Sequence, residues 1–149
     1  MWKLNTDERI AYWRSFRKTL DGLPLEQAVD SVANFWQHCP FVAYYLDPTN
    51  ILDWPDPWEL IAENYYCDLA KALGMLYTIC LTRHGTDLDI NISIYNDMKT
   101  KYTYNLVVLA QGKYVINLLD AAVVNTDALS KYLVLTYSID SSKLKLKIK

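Results

Sequence analysis

Apolar residues recur at a helical period up to about residue 80 and then switch to alternation, and that switch constrains the fold more than any other feature. After His84-Gly85-Thr86, the residues Leu88, Ile90, Ile92 and Ile94 alternate with Asp87, Asp89, Asn91 and Ser93. This is the period-two pattern of a strand with one buried face. Asn96-Asp97 begins a turn. Residues 102–110 and 114–119 read as two further strands, joined as a hairpin around Gln111-Gly112-Lys113. A short turn or helix near residues 126–130 precedes a strand over 132–139, and Ser141-Ser142 turns into a last strand over 144–149. Helices placed ahead of hairpin-connected strands predict an α+β fold, its antiparallel sheet carrying helices on one side. The alternating lysines of the last strand mark a sheet edge, where charge discourages pairing with other chains.

The helical half has its own punctuation. Thr6 as N-cap, Asp7 and Glu8 in the first turn and Gly22 at the stop predict a helix over residues 7–21. Pro24 suits the first turn of a second helix, and Leu25, Ala28, Val29, Val32, Phe35 and Trp36 form its apolar stripe, with Pro40 ending it. The two should pack as a hairpin. Residues 41–54 read as an ordered, aromatic-rich loop. Asp56-Pro57-Trp58-Glu59 then gives the cleanest helix start in the chain, with a cap, a first-turn proline and an acidic third position.

A chain of 149 residues is one domain in size. It divides into an N-terminal helical module with its aromatic loop (1–54) and a second part holding a cysteine-bearing helix and the sheet (55–149). Five Trp, twelve Tyr and only nine Gly plus Pro predict a packed chain with little linker. The net charge of −2 gives no electrostatic reason to expect nucleic acid. No apolar stretch reaches the roughly 20 residues of a membrane span. Charged residues from Lys3 to Arg9 precede any apolar run, so no signal peptide is expected. Cys39, Cys67 and Cys80 show no metal-type spacing, and only two histidines accompany them. With no glycine-rich phosphate loop either, no cofactor and no metal are expected, and the compartment is a reducing cytosol.

Two readings of residues 58–80 are open. An unbroken helix puts Trp58, Ile61, Tyr65, Leu69, Leu73 and Leu76 on its apolar face, and Cys67 on the opposite one with Glu63 and Lys71. A break at Asn64 makes Cys67 the start of a new helix, its sulfur at the positive dipole end where a thiolate is favoured. Cys67 is then the candidate nucleophile.

On that second reading the run Cys67-Asp68-Leu69-Ala70-Lys71-Ala72-Leu73, then strands, then Gly112-Lys113-Tyr114-Val115 with Asp120 beyond, resembles a transglutaminase-like core of the papain-like fold. The resemblance spans roughly residues 58–122. It implies a Cys-His-Asp triad for acyl transfer or amide hydrolysis, with Cys67 as nucleophile and Asp120 as orienting acid. The histidine position falls at Thr103, or at Tyr102 or Tyr104 with a slipped register, and none of these is a base near neutral pH. Asp120 stands about two residues later than the pattern asks. His84, in a polar corner with Asp87, is the substitute base an active enzyme would need; otherwise it is a turn residue. The chain also looks similar to small proteins of tailed bacteriophages, which implies a virion or assembly component in the host cytoplasm or the virion.

Two functions follow. The first is an inactive transglutaminase-like domain that binds a protein partner or a second copy of itself, without nucleic acid or membrane. Its candidate docking residues are Trp2, Tyr44, Tyr45, Trp54 and Trp58, in or beside irregular segments. The second is a cysteine-dependent amidase, peptidase or acyl transferase using Cys67 with His84.

Overall fold

The computed structural model describes residues 1–146. Helix α1 (Thr6–Asp21) starts one residue before the expected position because Asn5, rather than Thr6, is its cap. The Asn5 side chain accepts from Glu8 N–H while Glu8 reaches back to Asn5 N–H, a reciprocal capping box. Helix α2 (Leu25–Trp36) follows Pro24 and buries Ala28, Val29, Val32, Ala33 and Trp36. It stops short of Pro40. The two helices touch through Phe16 and Phe35, stacked at 4.1 Å. Asp56 caps α3 (Pro57–Glu63) by accepting from the N–H groups of Trp58 and Glu59.

The helical region breaks where the second reading put it. Asn64 sits in the left-handed region at φ 56° and ends α3. Arg9 makes that stop tenable. Its buried guanidinium reaches from α1 to donate to the carbonyls of Ile61 and Ala62, in the last turn of α3. Asn64 Nδ2 donates to Trp2 O at 2.8 Å. Tyr66 then runs beside residues 40–42, its N–H donating to Pro40 O and its carbonyl accepting from Val42 N–H. Helix α4 (Asp68–Cys80) begins immediately after, with Cys67 as N-cap.

Helix α4 is the centre of the molecule. From Leu69 to Ile79 only Lys71 escapes full burial. The side chain of Thr78 is a hub: Trp13 Nε1 and Trp36 Nε1 each donate to its Oγ1 at 3.0 Å, and the hydroxyl donates to Gly74 O. Gly74 is there because the Trp36 ring lies on it; a Cβ would stand 2.3 Å from the indole. Arg17 closes the edge of this cluster by lying over the Trp13 ring at 4.3 Å.

The sheet is antiparallel, in the order β3-β2-β1-β4, with β1 (Ile90–Asp97), β2 (Thr103–Leu109), β3 (Tyr114–Ile116) and β4 (Leu133–Asp140). Ile90, Ile92, Ile94, Val107, Leu109 and Ile116 join the main core with α4. On the opposite face Leu106, Val108 and Val115 form a second cluster, covered by Leu118, Val124 and Leu129. Helices therefore cover one face and the 117–130 segment covers part of the other. β3 is shorter than expected because Asn117 leaves the ladder at φ 72°.

The C-terminal expectation is corrected. A single 3-10 turn (Ser141–Lys143) follows β4, and residues 144–146 are not a strand. Lys145 Nζ instead donates to the carbonyls of Leu52 and Trp54. Residues 147–149, including Lys147 and Lys149, lie outside the described residues. The edge strand beside β1 is β4, with Val134, Leu135 and Tyr137 exposed.

Candidate functional site

The break at Asn64, the crossing of Tyr66 beside residues 40–42 and the start of α4 together place Cys67 at the wall of a groove of about 520 Å³. Opposite it stand Tyr102, Thr103 and Asn105, the first residues of β2 and the one just before it. Residues 41–48 form the third side, with Phe41, Tyr44 and Leu46. Of the three residues that the family resemblance aligned with its histidine, Tyr102 and Thr103 line the same groove as Cys67, while Tyr104 packs on the other face of the sheet. Cys67 itself is only 3% exposed. It caps α4 without a side-chain hydrogen bond to the first-turn N–H groups.

The groove floor is organised by Asp68. Its Oδ2 accepts from Asn105 Nδ2 at 2.9 Å, and its Oδ1 from Asn117 Nδ2 at 3.3 Å. Asn117 Nδ2 also donates to Asn105 O at 2.8 Å. Both asparagines are buried. Asn105 lies opposite Ile94 on the helix-facing side of the sheet, so it points at the start of α4. The left-handed backbone of Asn117 turns its amide inward at the end of β3. Asparagine tolerates that conformation better than most residues. Tyr102 lines the same groove: burial and the Asp68 charge both push its phenol above the ordinary value, and its ring packs on Tyr104 at 4.7 Å.

The other expected site residues are elsewhere. His84 follows the far end of α4, whose 13 residues span roughly 20 Å. It sits in a 3-10 turn with a ring nitrogen 3.0 Å from Leu20 O, so it is not brought to Cys67. Asp120 is exposed in a turn closed by Ala122 N–H to Leu119 O, at φ 45°. The inward position after β3 belongs to Asn117. No histidine lines the groove.

Of the aromatic docking candidates, Trp54 and Trp58 are corrected outright, being 1% and 4% exposed. Trp54 Nε1 donates to Asp47 O, which pins the loop, and Trp58 packs edge-on against Trp13. Trp2 is half-buried against Phe35, Trp36 and Tyr66. Tyr45 packs on Tyr65, and burial raises its phenol far above the ordinary range. Tyr44 alone is open, 67% exposed at the groove rim, joined by Phe41 at 71% and Tyr102 at 54%.

Sequence reasoning missed the Asp68–Asn105–Asn117 network, Phe41 at the rim and Arg9 as a helix cap. A signal existed for the network: Asn105 and Asn117 interrupt the apolar runs of two strands, and a polar amide in such a run needs buried partners. The three cysteines are free. Burial pushes the Cys39 thiol up to about 11 and the Cys80 thiol up to about 12.

No protein-family model matches the chain, and no curated protein matches its sequence. Solved structures do match in shape. Calcium-bound LapG of Legionella pneumophila superposes with a TM-score of 0.72 at 14% identity, over 93% of this chain and 78% of that one. A second LapG structure gives 0.70 at 15% identity, over 91% and 76%. The EGTA-treated form gives 0.69 at 17%, over 90% and 73%. Among the described residues here, no group of three or more His, Cys, Asp or Glu is placed to hold a metal ion. No helix among the described residues is long and apolar enough to cross a membrane. The chain has a transglutaminase-like, papain-like α+β fold, with Cys67 at the helix start where that fold's resemblance put it.

Proposed function

We propose that this domain is a binding module on a transglutaminase-like scaffold, whose groove at Cys67 docks a polypeptide segment without cleaving it. One observation carries the reading: the amides of Asn105 in β2 and Asn117 just after β3 hold Asp68 at the start of α4, and no histidine lines the groove. An acyl-transfer site needs an imidazole or similar base within hydrogen-bond reach of the thiol. Here no histidine lines the groove, the amides of Asn105 and Asn117 bind Asp68 beside Cys67 in sequence, and an amide does not take up a proton near neutral pH. The exposed aromatic rim supports docking, since Tyr and Phe at the mouth of a cleft supply contact area at little entropic cost. A virion or assembly role is one setting for such docking, and the groove supports it no more than any other.

The second reading keeps Cys67 as the nucleophile of an amidase, peptidase or acyl transferase. Its support is the position itself, a thiol at the dipole end of a 13-residue helix beside first-turn N–H groups that no side chain caps. The test is turnover of labelled casein and incorporation of a fluorescent amine into it, by the native protein and by Cys67→Ser. The binding reading expects the two proteins to be indistinguishable. Turnover that Cys67→Ser abolishes would replace it with the second reading.

A further inference from the structure

We propose that the groove selects a cationic side chain, a lysine or arginine of the docked polypeptide, with its charge against Asp68. This rests on the binding reading above and names what that site prefers. Among the described residues, Asp68 is the only charged one that lines the groove. Its two oxygens are fixed by the amides of Asn105 and Asn117, at 2.9 and 3.3 Å. Those partners orient the carboxylate and leave its charge uncancelled, because an amide carries none. Lys71, one turn along α4, acts on Cys39 as Asp68 does, with the opposite sign, and does not line the groove.

The rim agrees with the floor. Phe41, Tyr44 and Tyr102 border one opening and are each more than half exposed, so core packing does not explain their placement. Aromatic faces carry negative potential and attract ammonium and guanidinium groups, more strongly when these leave water. The start of α4 opposes this with about half a positive charge. A full carboxylate charge at the first helical position exceeds that, so the local balance favours a cation. An anionic side chain would meet Asp68 directly. There is room for the chain that carries the cation: across Pro48 and Thr103 the groove adjoins a second depression of about 410 Å³, along Ile94, Thr136 and Tyr137.

The experiment is a titration of ¹⁵N-labelled protein with Nα-acetyl-lysine N-methylamide, and separately with the uncharged norleucine counterpart, followed by amide shifts at residues 67–69 and 102–105. The lysine probe should bind at least about fivefold tighter, the factor a partly desolvated cation–π contact with an ion pair supplies. Asp68→Asn should abolish that preference, and Tyr44→Ala, at an exposed loop position that the fold does not need, should weaken the lysine probe severalfold. Equal or tighter binding of norleucine, or a lysine preference unchanged in both variants, would overturn the cation assignment and leave the groove as a binding site. No saturable shift at these residues with either probe would overturn the groove as a docking site altogether.

Discussion

Asn105 donates its Nδ2–H to Asp68 Oδ2 at 2.9 Å, tying the first residue of α4 to β2 across 37 positions of sequence. Asn117 adds the end of β3 to the same carboxylate. The start of the cysteine helix is thus clamped to two strands by three polar side chains. The two amides hold that charge still.

Asp68→Ala should cost about 1–3 kcal/mol, because it leaves two inward-facing amides without their charged acceptor. Urea unfolding of Asp68→Ala, Asn105→Ala and the double variant checks it. The double variant should cost clearly less than the sum, since both single changes break one bond. Full additivity would mean that the two side chains act independently.

Asn117 separates backbone from side chain. It sits at φ 72°, where Ala carries roughly 1–2 kcal/mol of strain that Gly does not. Asn117→Ala should therefore be the less stable of the two replacements, with Asn117→Gly showing mainly the loss of the amide bonds. Equal midpoints for the two variants would contradict the assignment of strain to this turn.

Thr78→Val keeps the shape of the hub and removes the acceptor of two indole N–H groups. Each stranded donor should cost about 1–3 kcal/mol, measured as a fall in the urea midpoint with the tryptophan emission as probe. Gly74→Ala adds a methyl where the Trp36 ring already lies, and overpacking of this kind costs about 1–3 kcal/mol. A neutral Gly74→Ala would mean that the indole moves aside freely.

Alkaline pH should destabilise the fold. Burial raises the Cys39 thiol to about 11 and the Cys80 thiol to about 12, whereas an unfolded thiol ionises near about 8.5. Above that pH the unfolded chain releases protons that the native state keeps. Stability is therefore full below about pH 8.5 and declines as pH rises toward the folded values. The phenols of Tyr66 and Tyr77, raised chiefly by burial, push the same way at higher pH. Urea midpoints should be lower near pH 10 than near pH 8, with Cys80→Ala showing a shallower decline. A midpoint that is flat or rises over this range would contradict the burial of these groups.

How far the sequence could be read follows from where each signal resides. Periodicity is local, so the helices, the alternation of Ile90, Ile92 and Ile94 and the start at Asp56-Pro57 could all be read directly. The break at Asn64 could only be posed as an alternative, because the carbonyls it frees are capped by Arg9 from another helix. Trp54 and Trp58 looked like surface aromatics because their neighbours in sequence are polar and irregular. Their burial comes from Asp47 O and from Trp13, contacts that local pattern does not encode. The expectation for residues 144–146 failed for the reverse reason: their alternation is clear, but Lys145 finds the carbonyls of Leu52 and Trp54 rather than a ladder. At the site, the cysteine was legible from its helix start. The network beneath it was not, because Asp68, Asn105 and Asn117 meet only once helix and sheet are assembled.

The most direct test of the central claim is the rate at which iodoacetamide labels Cys67 at about pH 6, where an imidazole-paired thiolate reacts and a free thiol hardly does. The rate is read by mass spectrometry in native protein and in urea-unfolded protein. A 3% exposed thiol in a groove that no histidine lines should label no faster native than unfolded. A native rate ten or more times the unfolded one, a factor of the size that thiolate activation produces, would contradict the binding account and make Cys67 a working nucleophile.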